Sequence, residues 1–167
     1  LPLDDGTAKN FARSLHNTVP ASTAGGNHWS KILDSARSLD PMRRIQLVNN
    51  FANRMPYTED IDNYGLRDFW AKTETFFELG GDCEDFAMAK YKLLERVGFH
   101  PDRMRIVLVV DNKRDRQHAM LVVNANGRGW MLDSLMRDVV PHEVATQYRP
   151  TVSLSGQRLY LHVPPKA

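Results

Sequence analysis

The chain has 167 residues, 42% hydrophobic and 25% charged, with a mean hydropathy of -0.46 and no apolar run long enough to span a bilayer, which excludes collagen-like, disordered and membrane-inserted classes. Lysine plus arginine number 22 against 20 for aspartate plus glutamate, and a net charge of +2 gives no support to nucleic-acid binding. The one cysteine, Cys83, forbids an internal disulfide and any multi-cysteine zinc site, and the length suits a single domain over residues 1–167.

Residues 1–27 are polar and turn-rich and read as a loosely packed arm with one short helix near Thr7–Asn17. The chain begins at Leu1 with no positively charged, then apolar leader, which leaves the compartment open. From His28, Trp29, Ile32, Leu33, Ala36 and Leu39 recur at helical spacing. Asp40-Pro41 then supplies an N-cap and an N1 proline to a second helix, which carries Ile45, Leu47, Val48, Phe51 and Ala52 and stops near Met55-Pro56. Tyr57–Arg67 reads as a solvated polar loop, because its acids Glu59, Asp60 and Asp62 lack the glycine and terminal glutamate of an EF-hand. A short helix near Asp68–Glu78 ends at Gly80-Gly81. Asp82 then stands where an N-cap belongs, and Cys83, Phe86, Ala87, Tyr91, Leu94 and Val97 repeat at three- and four-residue steps until Gly98 offers a C-cap.

After Pro101 the period shortens. Met104–Val110, Gln117–Asn124 and Arg128–Asp133 read as strands of an antiparallel meander, turning at Asp111–Arg114 and at Asn126-Gly127. His142–Tyr148 reads as a short helix and Arg158–Val163 as a last strand. Helices first and strands second make the fold class α+β.

The chemistry concentrates in Gly80-Gly81-Asp82-Cys83-Glu84-Asp85. A thiol at a helix start meets unpaired N–H groups and the positive end of the dipole, both of which favour thiolate, and the glycines let a substrate backbone approach. A thiol nucleophile needs a base, and His118 marks the polar end of an otherwise apolar strand. Asp133 ends the next strand, where a hairpin sets it beside His118 to orient the imidazole. Asp82, Glu84 and Asp85 surround that thiol with negative charge, so either they point away, as ordinary helix-dipole acids, or a cation neutralises them, and an all-oxygen set suits calcium. Lys113, Arg114 and Arg116 form a basic hairpin tip near His118, a solvated turn suited to guiding an acidic substrate segment.

Trp70, Glu74, Gly81-Asp82-Cys83-Glu84-Asp85, Ala87, Lys90 and Gly98, followed by His118 and Asp133, resemble the bacterial transglutaminase-like cysteine proteases over roughly residues 45–133 and more loosely in the tail. The resemblance implies a papain-like, transglutaminase-like core whose helical N-terminal half packs on an antiparallel sheet. It makes Cys83 the nucleophile, His118 the general base and acid and Asp133 the orienting residue of a cysteine endopeptidase, with Ca2+ held at Asp82, Glu84 and Asp85 and further ligands coming from backbone carbonyls, water or a loop acid such as Asp60 or Asp62. It further implies a periplasmic location, and as substrate a large surface adhesin cut near its N-terminus at a pair of alanines, releasing it for biofilm dispersal. The partner it implies is an inner-membrane cyclic-di-GMP receptor that sequesters the protease. Two other readings share these residues: a transglutaminase or amidase using the same triad, and a catalytically silent peptide-binding module.

Overall fold

The computed structural model describes Ser30 and residues 33–163; the arm over 1–27 with its helix near Thr7–Asn17, and the helical positions Trp29 and Ile32, lie outside the described residues. Residues 33–36 are helical and bury Leu33 and Ala36. Helix α1 (Pro41–Ala52) starts as its sequence dictates, with the Asp40 carboxylate accepting from the Arg43 N–H at 3.1 Å and proline at the first turn. Where a solvated loop is expected, Asp60–Tyr64 forms a short helix, α2, and Asp60 is buried. Helix α3 spans Thr73–Leu79, starting later than the sequence suggests, and α4 spans Cys83–Arg96. The strands are β1 (Met104–Asp111), β2 (Arg116–Ala125), β3 (Arg128–Leu132), β4 (Val140–Pro141), β5 (Tyr148–Ser155) and β6 (Arg158–Leu161), in one antiparallel sheet ordered β4-β3-β2-β1-β5-β6.

The expected helix at His142–Tyr148 shrinks to a single turn at His142–Val144, and β5 is a strand that periodicity does not announce. Its Pro150 cannot donate to a ladder, and the structure accommodates it opposite Val109, where the β1–β5 register shifts. Beyond that irregularity Val152 and Leu154 are buried.

Alternation divides the sheet into two faces. Ile106, Leu121, Val123 and Leu154 join Ala87, Met88, Tyr91 and Leu94 of α4 and Ile45 and Val48 of α1 in the main core. Each large apolar side chain buried there contributes about 1.5–3 kcal/mol. Val109, Met120 and Met131 occupy the other face beneath the chain that links β3 to β5. Strand β3 pairs with β2 only as far as Leu121↔Leu132, while β2 itself begins at Arg116. The first residues of β2 therefore have a strand neighbour on one side only, and the head of α4 reaches the other.

That head is seated by its own chain. Gly81 N–H donates to the Pro56 carbonyl at 3.3 Å, and Thr58 N–H donates to the Gly81 carbonyl at 3.0 Å. What approaches the glycine pair is thus residues 56–58 of the protein itself. Gly80 has φ +78°, and a Cβ there would lie well inside van der Waals contact of the Pro56 carbonyl oxygen; Gly65 has φ +67° but open space around it. Gly65→Ala should cost about 1 kcal/mol, whereas Gly80→Ala should cost about 1–2 kcal/mol more. Equal losses in urea unfolding would contradict the seating role of this turn.

Candidate active site

Cys83 opens α4 because the left-handed Gly80 turns the chain and Asp82 holds the extended conformation of an N-cap. Asp85 reaches back to the Asp82 N–H at 3.4 Å, the return half of a capping box, and with its other oxygen accepts from the Ala71 N–H at 2.7 Å. The Cys83 thiol is partly buried at the uncovered start of β2, where the Ala119 N–H donates to its sulfur. Its own S–H donates to Glu84 Oε2 at 3.2 Å.

His118 and Asp133 meet across β2 and the end of β3. The ladder pairs Leu121 with Leu132, so Asp133 lies one step beyond it, on the face that carries Met120 and His118. Asp133 Oδ1 is 2.7 Å from His118 Nε2, which must carry the proton because a carboxylate only accepts. The Leu135 N–H donates to the same oxygen at 3.0 Å, and the Tyr148 hydroxyl to Oδ2 at 2.7 Å. Burial raises the Asp133 carboxyl, yet these donors and the His118 charge outweigh it and leave the group below the usual carboxylate range. With Nε2 engaged, Nδ1 is the ring nitrogen left to the thiol.

Cys83 and His118 line one cleft of about 570 Å³, whose floor is the apolar Leu108, Val110 and Val152 and whose rim includes Arg149. A smaller recess of about 110 Å³ lies beyond His118, bounded by Tyr57 and Leu135. Of the basic hairpin tip, Arg116 lines both and pairs with Glu59 at 3.3 Å, so it belongs to the cleft wall as well as to the solvated turn.

The expected thiolate does not follow from this geometry. Burial, then the Glu84 and Asp82 carboxylates, push the Cys83 thiol well above its ordinary value, and they outweigh the donor at Ala119. The acids suffer likewise, each chiefly from burial: Asp82 is pushed up to about 9, Asp85 to about 8, Glu84 to about 7 and Asp60 to about 6. Ligand atoms of Asp82, Cys83 and Glu84 lie within 4.8 Å of one another, as do those of Asp60, Asp68 and Glu84 and those of Asp60, Asp82 and Asp85. Asp82 Oδ1 and Asp60 Oδ1 are buried without partners.

The structure thus gathers Asp82 and Glu84, and turns Asp85 inward with both oxygens on backbone N–H groups. Of the two loop acids the sequence offers as further ligands, it brings in Asp60. Tyr148, which donates to Asp133, is an addition the sequence does not single out, since it falls in the stretch read as a short helix.

These raised values fix the sign of a pH dependence. The folded protein without metal keeps protons that the unfolded chain has lost, so the stability the acids permit is complete below about pH 4 and is lost as pH rises through about 6 to 9. In EGTA the melting temperature should fall from about pH 5 to about pH 9, and Asp82→Asn should flatten that slope. A melting temperature that rises over this range would contradict the buried acidic cluster.

A family model described as bacterial transglutaminase-like cysteine proteinase matches residues 23–158. No curated protein matches the sequence. Among solved structures, Legionella pneumophila LapG is 24% identical with a TM-score of 0.74, covering 92% of this chain and 87% of that one. Its calcium-bound form is 25% identical with a TM-score of 0.75, covering 93% and 86%, and its EGTA-treated form is 23% identical with a TM-score of 0.76, covering 96% and 88%. These likenesses establish a transglutaminase-like fold. With the family model spanning most of its length, the chain belongs to the bacterial transglutaminase-like cysteine proteinases.

Proposed function

We propose that this protein is a calcium-dependent cysteine endopeptidase with Cys83, His118 and Asp133 as its catalytic residues. The observation that carries the reading is the fully buried Asp133 holding His118 Nε2 at 2.7 Å beside a cleft that the Cys83 thiol shares. Asp133 fixes the imidazole tautomer and its orientation. Nδ1 of His118 takes the thiol proton as Cys83 attacks a peptide carbonyl, forming the carbon–sulfur bond, and returns it to the departing amine nitrogen as the peptide bond breaks. Water, deprotonated by the same imidazole, then releases the acyl group and regenerates the thiol. The Cys83 N–H, unpaired at the first turn of α4, is a donor for the oxyanion.

The donor set fits calcium, since the orphaned oxygens of Asp82 and Asp60 and the carboxylate of Glu84 are hard oxygen ligands, with Asp68 within reach and Asp85 the weaker member. A calcium ion bound there would supply the positive charge that buried carboxylates beside a thiol lack. The calcium-bound and EGTA-treated LapG structures support the choice of metal.

The family resemblance extends the proposal to a periplasmic protease acting on a large surface adhesin near its N-terminus, at paired alanines, and held in check by an inner-membrane cyclic-di-GMP receptor. No described helix is long and apolar enough to cross a membrane.

Adhesin N-terminal fragments incubated with the protein should be cut in calcium and left whole in EGTA, with calcium but not magnesium restoring cleavage, because magnesium demands a tighter octahedral shell. Cys83→Ala should lose several orders of magnitude in rate while melting as the parent does. Cleavage by the folded Cys83→Ala protein, or cleavage indifferent to EGTA, would overturn the corresponding half of the proposal.

A further inference from the structure

The recess of about 110 Å³ beyond His118 is lined by Tyr57, Asp111, Arg114, Arg116, His118 and Leu135, and not by Cys83. Its two apolar walls are held by the bonds that build the catalytic centre. Tyr57 bridges to Gly81, two residues before the thiol, and its ring stacks on Phe86 of α4 at 6.1 Å between centroids. Leu135 donates its N–H to Asp133 Oδ1, the oxygen that also binds His118 Nε2. Both side chains are nevertheless open to solvent, at 43% and 41% exposure, so a pair of apolar surfaces stands ready beside the imidazole.

The remaining lining is charged, and its balance is positive. Asp111 is buried and spent on its own turn, where Oδ1 accepts from the N–H groups of Lys113 and Arg114 at 2.9 and 3.3 Å. The Arg114 guanidinium stands 3.7 Å from Asp111 Oδ2, longer than a hydrogen bond, and Arg116 meets Glu59 through one nitrogen at 3.3 Å. A guanidinium carries five N–H donors, so both arginines keep donors to spare. The Arg116–Glu59 pair is half-exposed, and pairs of this kind hold so weakly that a substrate carboxylate displaces the existing partner at little cost.

The reaction decides which half of a peptide reaches this recess. The acyl carbon must sit on the Cys83 sulfur, and the departing amine nitrogen must sit against His118, which protonates it. A recess that touches His118 but not Cys83 therefore lies on the amine side, whereas the cleft of about 570 Å³ that both residues line takes the acyl side.

We propose that this recess is the subsite for the leaving segment of the substrate and takes an acidic side chain from within the first three residues after the scissile bond, its stem between Tyr57 and Leu135 and its carboxylate on Arg114 and Arg116. Arg114 is then a specificity-determining residue. This rests on the cysteine-protease reading. The acid must be that close because an extended chain advances about 3.3 Å per residue and the recess adjoins the imidazole itself.

The full-length protein, at fixed calcium, is given paired-alanine peptides carrying aspartate at each of the first three leaving-side positions in turn, every one matched with its asparagine twin. At one position kcat/KM should favour aspartate by roughly threefold to tenfold at low salt, and the preference should shrink at about 0.5 M NaCl. Arg114→Ala should bring the aspartate-to-asparagine ratio there toward one, and Arg114→Glu should invert it so that lysine is preferred. Aspartate on the acyl side should give a ratio that neither variant moves. No aspartate preference at any leaving-side position, a preference that survives Arg114→Glu, or one that Arg114→Glu alters only on the acyl side would overturn the assignment. If the parent cleaves no peptide, the protease reading fails, and fluorescence anisotropy of the same peptides on the folded Cys83→Ala protein decides the recess: aspartate should bind roughly threefold more tightly than asparagine, with the difference lost in the added Arg114→Glu change, and equal binding overturns it.

Discussion

A carboxyl group taken out of water must give up its charge or find a cation, and at the head of α4 four carboxyl groups face that choice around a single thiol. At an effective dielectric of about 20, two like charges about 4 Å apart repel by about 4 kcal/mol, so the cluster cannot ionise together by itself. The hydrogen bonds present mark its edges. Asp85 is absorbed by two backbone N–H groups, while Asp82 and Asp60 each keep a buried oxygen with nothing to accept from. The same arrangement that offers oxygen ligands to a cation also holds the thiol protonated, so on the proposed reading metal binding and nucleophilicity are coupled through charge.

The fold brings that cluster to His118 and Asp133 by an inequality of strand length. Because β3 stops opposite Leu121 while β2 continues to Arg116, the sheet leaves a notch that the first turn of α4 occupies. His118 and Asp133 come to the notch from the face opposite the helices. Asp133 is tied to β5 through the Tyr148 hydroxyl on its carboxylate and to the end of α1 through Asn53 on its carbonyl.

Much of this is legible in the sequence, for local reasons. The helix beginning at Cys83 and the strand ends carrying His118 and Asp133 follow from periodicity, capping and short turns. The rest depends on contacts between distant segments. Asp60 and Asp62 read alike as loop acids that could add a ligand, and nothing near them in sequence reveals that the Phe69 N–H bonds the Asp60 carboxylate and so picks out Asp60. Strand β5, with Pro150 and two serines, lacks a strand signal, and it is the register shift opposite Val109 that makes the proline tolerable and delivers Tyr148 to Asp133. Gly80-Gly81 is a recognisable turn, but that it accommodates the chain's own residues 56–58 is a tertiary fact.

The coupling between the acids and the thiol is open to one direct measurement. Cys83 alkylation by iodoacetamide at neutral pH, followed as free calcium is raised, reads thiolate without any substrate. The rate should climb with calcium and saturate as the site fills, and Asp82→Asn should shift the midpoint to higher calcium. A rate that is already high in EGTA and flat with calcium would show that buried carboxylates do not govern the nucleophile.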